Sequence, residues 1–311
     1  MKRWLHTDWI GHYLIVALFL FFLTACKGHT MVPSPETYFT GKQLELARLV
    51  DKAEAEAVYQ YAMGMTLDEL NAFGQEKMTV LLYAARQSMP KPETLPTLSQ
   101  LLRAGSDPQK EGYRDISFLG IAIGNAFASR DLSLLKAALD GGVNPDTDAY
   151  QSSNSPLLLQ VADQDGLGAI KLLVQYGADV NRRDSLGSTA LLDSIATMGI
   201  AEINYLLDQR ADPRVVDYRG ISFAHALREA IGRMKNIQDP RVAQLLAIQD
   251  RIIAMGVTWP PETPEQLRAR VIAERKNKTG ETFVFMPHEG YEKFFAAYTP
   301  APVRKVPVPQ R

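Results

Sequence analysis

The chain has 311 residues, of which 34 are basic and 35 acidic, for a formal net charge of −1. That balance gives no reason to expect a nucleic-acid partner, which asks for a basic face, and a hydrophobic share of 46% is that of a folded globular chain. One cysteine offers no intramolecular disulfide, so stability has to come from packing.

At the N-terminus, Lys2 and Arg3 precede an apolar run from Tyr13 to Leu23, and the segment closes on Leu23-Thr24-Ala25-Cys26. Basic, apolar and then small residues is the order of a secretory signal peptide, and the apolar run is short for a bilayer span. A non-cleaved anchor is the alternative reading, because Trp9 to Ala25 reaches the lower edge of spanning length, with His12 interrupting it. The small residues before the lone cysteine resemble the lipobox of bacterial lipoproteins. That resemblance implies removal of residues 1–25 as a lipoprotein signal peptide, acylation of Cys26 (palmitate included) and a membrane anchor in the periplasm. Several acyl chains on one residue hold a protein stably where one would not. By the same resemblance, Lys27 in place of an aspartate leans toward the outer membrane over the inner. Residues 26–43, which include Tyr38 to Thr40 and the prolines before them, are expected to be a tether.

A repeat follows. A hydroxyl residue ahead of apolar ones recurs at Thr79, Ser117, Ser155, Thr189 and Ser222, at intervals of 38, 38, 34 and 33 residues. Between these lie paired or single apolar residues and then a glycine: Leu101-Leu102 with Gly105, Leu139 with Gly142, Leu172-Leu173 with Gly177, and Ile252-Ile253 with Gly256. Leu206-Leu207 is followed instead by Arg210 and Ala211. Turn-rich tags come next, among them Ser106-Asp107-Pro108, Val143-Asn144-Pro145 and Ala211-Asp212-Pro213. The hydroxyls suit helix N-caps, and the glycines suit the left-handed residue that ends a second helix. The apolar pairs suit burial against a neighbouring repeat.

Gly177-Ala178-Asp179-Val180-Asn181-Arg182-Arg183-Asp184-Ser185-Leu186-Gly187-Ser188-Thr189-Ala190-Leu191 resembles the ankyrin repeat, with the family's aspartate, glycine and threonine in register. Asp217, Gly220, Ser222 and His225 keep the same spacing. Earlier copies depart from it: Gly74 and Gly112 take the aspartate position, Lys77 and Asp115 the glycine position, and the copy at Ser155 needs one inserted residue. The resemblance implies an all-α ankyrin-repeat solenoid of about five repeats plus caps over residues 44–258. Leu44 to Met63, apolar and charged at helical spacing, reads as the polar-faced terminal cap. Gln87 to Pro96, with three prolines, reads as a loop between the helices of the first repeat.

Beyond Trp259 the repeat is expected to stop. Residues 259–311 read as a short C-terminal extension: a helix from Pro264 to about Lys276 capped by Thr263, a short strand over Glu281 to Met286, and a proline-rich mobile tail.

Few residues suit catalysis. Past the signal segment the histidines are His29, His225 and His288. Gly220-Ile221-Ser222-Phe223-Ala224 lacks the second glycine of a nucleophile elbow, so Ser222 reads as a cap and His225 as a histidine bracing the turn by hydrogen bonding. No phosphate-binding glycine loop is present. Asp146-Thr147-Asp148 lacks the glycine and terminal glutamate of a calcium loop, and Asn277-Lys278-Thr279 is a glycosylation sequon only in form. No enzyme, metal site or cofactor is expected. The repeat tips instead carry Phe73, Tyr113 with Arg114, Tyr150, Arg182 with Arg183, and Tyr218 with Arg219, residue types enriched at interface cores.

Lipid-anchored ankyrin chains of this build resemble immunity proteins paired with phospholipase effectors of type VI secretion. That resemblance implies a protein partner, a secreted phospholipase bound and neutralised at the membrane. The alternative is a structural lipoprotein that scaffolds other envelope proteins.

Overall fold

A computed structural model describes residues 33–149, 155–162 and 166–279. Cys26, Tyr150, the expected strand at 281–286 and the proline-rich tail lie outside the described residues. The described residues form fourteen α-helices and no strand beyond isolated bridges at Asp148–Pro156 and Val216–Ser222. They are α1 (Gly41–Asp51), α2 (Ala55–Met63), α3 (Leu67–Leu70), α4 (Val80–Ser88), α5 (Leu95–Arg103), α6 (Phe118–Ala128), α7 (Ser133–Asp140), α8 (Leu157–Gln160), α9 (Leu167–Gln175), α10 (Ala190–Ala196), α11 (Ile200–Asp208), α12 (Phe223–Arg233), α13 (Pro240–Ala254) and α14 (Pro264–Thr279).

Two compact units divide these helices: one holds α1 to α9, and the other holds α10 to α14 and takes in Ala162–Gln164 as well as the chain from Val180 on. In the first, α4 packs on α1 and α6 on α4, while α5 packs on α2 and α7 on α5. First helices meet first helices and second helices meet second helices. In the other unit α12 packs on α10 and α13 on α11. This is the all-α ankyrin-repeat solenoid fold, and its logic is that one hairpin cannot bury its own apolar face. The buried faces are aliphatic, for example Leu98 and Leu101 on α5 and Leu134 and Leu135 on α7.

The hydroxyl caps start the first helices as expected. Thr79, Ser117, Thr189 and Ser222 accept from the backbone N–H three residues on, at 3.2, 3.1, 3.4 and 3.1 Å. Each satisfies an amide that the helix itself leaves open. Ser155 does not cap. Pro156 takes that place ahead of α8, and the Ser155 hydroxyl accepts from the Gln160 side chain instead. At the far end of the second helices Gly177 has φ +92°, the left-handed turn that its position calls for. Arg210 occupies the same place after α11 and adopts φ +68° despite its side chain.

Several expectations need correction. Residues 26–43 are not all tether: Pro35–Thr37 form a 3-10 turn and Tyr38 and Phe39 are buried. Both rings pack on Tyr83, with centroids 6.1 and 5.6 Å away, so the folded domain begins about nine residues earlier than the repeat pattern indicated. The Tyr83 hydroxyl donates to both carboxylate oxygens of Asp51 at 2.9 Å and accepts from Gln87 at 2.6 Å. Burial, then the Asp51 hydrogen bond, pushes the phenol pKa well above its usual value. The cap Leu44–Met63 is a hairpin, broken at Ala53, where φ is +58°. The proline-containing insert is shorter than Gln87–Pro96, because Gln87 and Ser88 belong to α4 and Pro96 lies in the first turn of α5. Finally, the helix expected after Trp259 forms, and it runs to Thr279 rather than ending near Lys276. Thr263 accepts from the Gln266 N–H at 3.2 Å in the same cap geometry, and α14 buries Leu267.

Candidate interaction surface

The tips that join one repeat to the next are built on one backbone bond. Gly74, Gly112, Asp184 and Asp217 each donate from N–H to the carbonyl four residues on, at 2.8, 3.1, 3.1 and 3.0 Å. The late repeats use aspartate there because its carboxylate holds the turn. Asp184 accepts from the N–H groups of Leu186 and Ser188, both at 2.8 Å, and Asp217 from those of Arg219 and Ile221 at 2.9 and 2.8 Å. The early repeats use glycine because a side chain has no room. A Cβ on Gly74 would lie 2.3 Å from the Tyr38 carbonyl, and one on Gly112 2.5 Å from that of Lys77.

In the first unit the two tips lie side by side. Lys77 Nζ donates to Asp115 Oδ1 at 3.1 Å. The Lys110 ammonium lies 4.4 Å from the centre of the Phe73 ring, and the guanidinium carbons of Arg86 and Arg114 lie 4.8 and 5.2 Å from that of Tyr113. The structure therefore gathers Phe73, Tyr113 and Arg114 into one patch of rings under cations, each such contact worth roughly 0.5–1 kcal/mol where solvent reaches it. Phe73 is 44% exposed. Lys77, Arg86 and Lys110 complete the patch. Sequence reading missed them as partners of the rings because they come from different turns and a helix, with no shared spacing to reveal them.

The backbone of these two tips is unusual. Glu76 and Lys77 have φ of +55° and +54°, and Arg114 and Asp115 of +58° and +56°. At the positions of Lys77 and Asp115 the second unit has Gly187 and Gly220, at +75° and +85°.

In the second unit, Arg182 and Arg183 are half-buried ahead of the Asp184 turn. Tyr218 serves packing: its N–H donates to the Leu186 carbonyl at 2.8 Å, and its ring would lie 2.9 Å from a Cβ on Gly187. Arg219 pairs with Asp217, whose side chain is 0% exposed, through Nε at 2.7 Å, while the Arg219 carbonyl accepts from Arg268 at 2.7 Å. His225 does not brace the turn through Nδ1, which is buried without a hydrogen-bond partner; Ser222 does the capping there. Beneath the Asp184 turn, burial pushes the pKa of Asp193 up to about 6, offset in part by the Ser188 hydroxyl and reinforced by the Asp184 carboxylate. Ser188 Oγ donates to Asp193 at 2.6 Å.

Neighbouring repeats are pinned by side chains that the repeat reading did not single out. Asn71 accepts from the Asp107 N–H at 2.7 Å and donates to the Gly105 carbonyl at 3.0 Å. Asn181 repeats this with Asp212 and Arg210, at 2.7 and 3.4 Å. Among the described residues no group of three or more histidine, cysteine, aspartate or glutamate side chains could hold a metal ion. No described helix is long and apolar enough to cross a membrane.

No protein-family model matches the chain, and no curated protein matches it. Among solved structures, the chain is similar to the ankyrin-repeat domain of Bcl-3, at 17% identity and a TM-score of 0.46, over 76% of this chain and 96% of that one. It is also similar to a chain of the complex between a predatory endopeptidase of Bdellovibrio bacteriovorus and an immunity protein, at 20% identity and a TM-score of 0.43, over 67% and 99% of the two chains. An ankyrin-repeat domain from Acinetobacter baumannii AYE matches at 20% identity and a TM-score of 0.45, over 66% and 97%.

Proposed function

We propose that this chain is a lipid-anchored periplasmic binding protein whose repeat tips capture a phospholipase effector of type VI secretion and keep it from lipid. The support comes from the tips of the first unit. Four residues with side chains sit in left-handed backbone there, each at a cost of roughly 1–2 kcal/mol relative to glycine. The ion pair that joins the tips does not offset this, because Lys77 and Asp115 are 65% and 78% exposed and such pairs contribute about 0–1 kcal/mol. Side chains kept at a loss of stability, beside an exposed phenylalanine and ring-stacked cations, fit a surface retained for recognition. Acylation at Cys26 would hold that surface at the bilayer and raise its effective concentration where a lipid-degrading toxin acts.

The test has two parts. Cells lacking this chain should be killed by kin that deliver a lipase encoded beside its gene. The purified chain should suppress fatty-acid release by that lipase from liposomes at equimolar amounts. If killing is unchanged and no complex forms, the immunity reading is wrong and a scaffolding role in the envelope takes its place.

A further inference from the structure

Asp193 stands where the repeat calls for an apolar residue. It is the fourth residue after Thr189, and the same place counted from the other hydroxyls holds Tyr83, Ile121, Leu159 and Ala226. A carboxylate half-buried at such a position opposes folding when it is charged. The turns over it show what that charge acts on.

Ser188, only 3% exposed, joins Asp193 to the tip. Its hydroxyl donates to Asp193 Oδ1 at 2.6 Å, its N–H donates to Asp184 Oδ1 at 2.8 Å, and its carbonyl accepts from the Asp184 N–H at 3.1 Å. The next tip is seated on the same turn, because the Tyr218 N–H donates to the Leu186 carbonyl at 2.8 Å. That tip brings in Asp217, whose side chain is 0% exposed. Three carboxylates thus gather around two linked turns.

Arg219 is the cation that acts on all three. It is bound to Asp217 at 2.7 Å and its own side chain is 62% exposed, so solvent screens much of its attraction for the other two. Asp184 and Asp217 disfavour a charge on Asp193, and Arg219 favours it. Glu202 and Asp208 of α11, and His225, Arg228, Glu229 and Arg233 of α12, come from the helices packed on α10 and act on Asp193 less strongly than these. A charged Asp193 therefore repels two neighbours with little to offset it. Its helix holds it in place, whereas residues 182–186 of the turn are half-buried or exposed, and surface turns of that kind open at low cost.

We infer that the Asp184 and Asp217 turns form a proton-gated latch, closed while the Asp193 carboxyl carries its proton and loosened once it is charged. The second unit then holds Tyr218 and Arg219 in one geometry in mild acid and more loosely at neutral pH. Burial sets the direction, since it raises the Asp193 pKa from 3.8 to about 6. The closed form binds the proton more tightly, so closure is favoured in acid and lost as pH rises through about 6.

Hydrogen exchange of the full chain in detergent tests this, read by mass spectrometry at about pH 5 and about pH 7 and corrected for intrinsic rates. If opening the turns frees Asp193, protection over residues 184–188 and 217–221 should fall about ten-fold between those pH values. The turns at Gly74 and Gly112 should stay flat. D193N should abolish the fall, and D193L, apolar like Leu159, gives the same readout if the asparagine variant unfolds. A flat profile in the unsubstituted chain, or a fall that persists in both variants, would overturn the latch. So would turns that exchange no faster than the α12 core around Leu227 at either pH, because only global unfolding would then open them.

Discussion

Two residues of the second unit hold conformations or charges that oppose folding, and each makes a prediction. Arg210 ends α11 at φ +68°, where a side chain costs roughly 1–2 kcal/mol and glycine would recover part of that. R210G should raise the thermal midpoint by about 2–4 °C. The Asn181 bond to the carbonyl of residue 210 survives because it uses backbone. Asp193 is the electrostatic case. Its folded pKa of about 6 stands above the ordinary 3.8 because burial disfavours the carboxylate. The folded state therefore holds the proton more tightly than the unfolded chain, and stability from this group is full below about 3.8 and lost as pH rises through about 6. D193N, which still accepts from Ser188, should flatten the stability profile between those values and add about 1–3 kcal/mol at neutral pH. Urea unfolding at several pH values measures both effects. An unchanged slope would mean that the carboxylate is already well solvated.

At the level of helices and turns, the boundary of the folded domain is the sharpest prediction. Phe39 is 2% exposed and meets Tyr83 edge-on. F39A should cost about 3–5 kcal/mol, measured by denaturant unfolding, whereas the same change in a tether would cost nothing. That boundary was hidden in the sequence because Tyr38 and Phe39 follow a proline-rich stretch and belong to no repeat; their burial comes from Tyr83, some forty residues on. What was legible had a strict local cause. A hydroxyl that caps a helix and a glycine that closes one are set by backbone geometry within a few residues, so Thr79, Thr189, Ser222 and Gly177 could be placed from spacing alone. Gly74 and Gly112 departed from the ankyrin pattern for a non-local reason, the approach of another backbone segment, and that approach leaves no mark in spacing. Thr263 was placed as the cap of a helix starting at Pro264 for the same local reason as Thr79, and its hydroxyl accepts from the Gln266 N–H there. The candidate surface divides the same way. Phe73, Tyr113 and Arg114 were found at the tips, while Lys77, Arg86 and Lys110 become their neighbours only through folding.

Across the molecule, the tips of the two units offer side chains under different constraints, and this decides which variants can test binding. Reversing Arg219 would place a negative charge beside Asp217, whose side chain is 0% exposed and ion-paired to it at 2.7 Å. The loss of stability, roughly 3–5 kcal/mol for breaking a buried pair and less here because Arg219 itself faces solvent, would be mistaken for loss of a contact. The first unit permits a cleaner experiment. Replacing Lys77 and Asp115 by glycine relieves left-handed strain at two positions and removes only an exposed ion pair. The double variant K77G/D115G should therefore be more stable by about 1 kcal/mol, raising the midpoint by about 2–4 °C, while binding the proposed effector at least ten-fold more weakly. Gain of stability with loss of affinity is the signature of a surface maintained for function. The two changes act on one molecule, so unfolding cannot explain the weaker binding. If midpoint and affinity both rise, or affinity stays fixed, the tips of the first unit are structural turns and the partner engages another face.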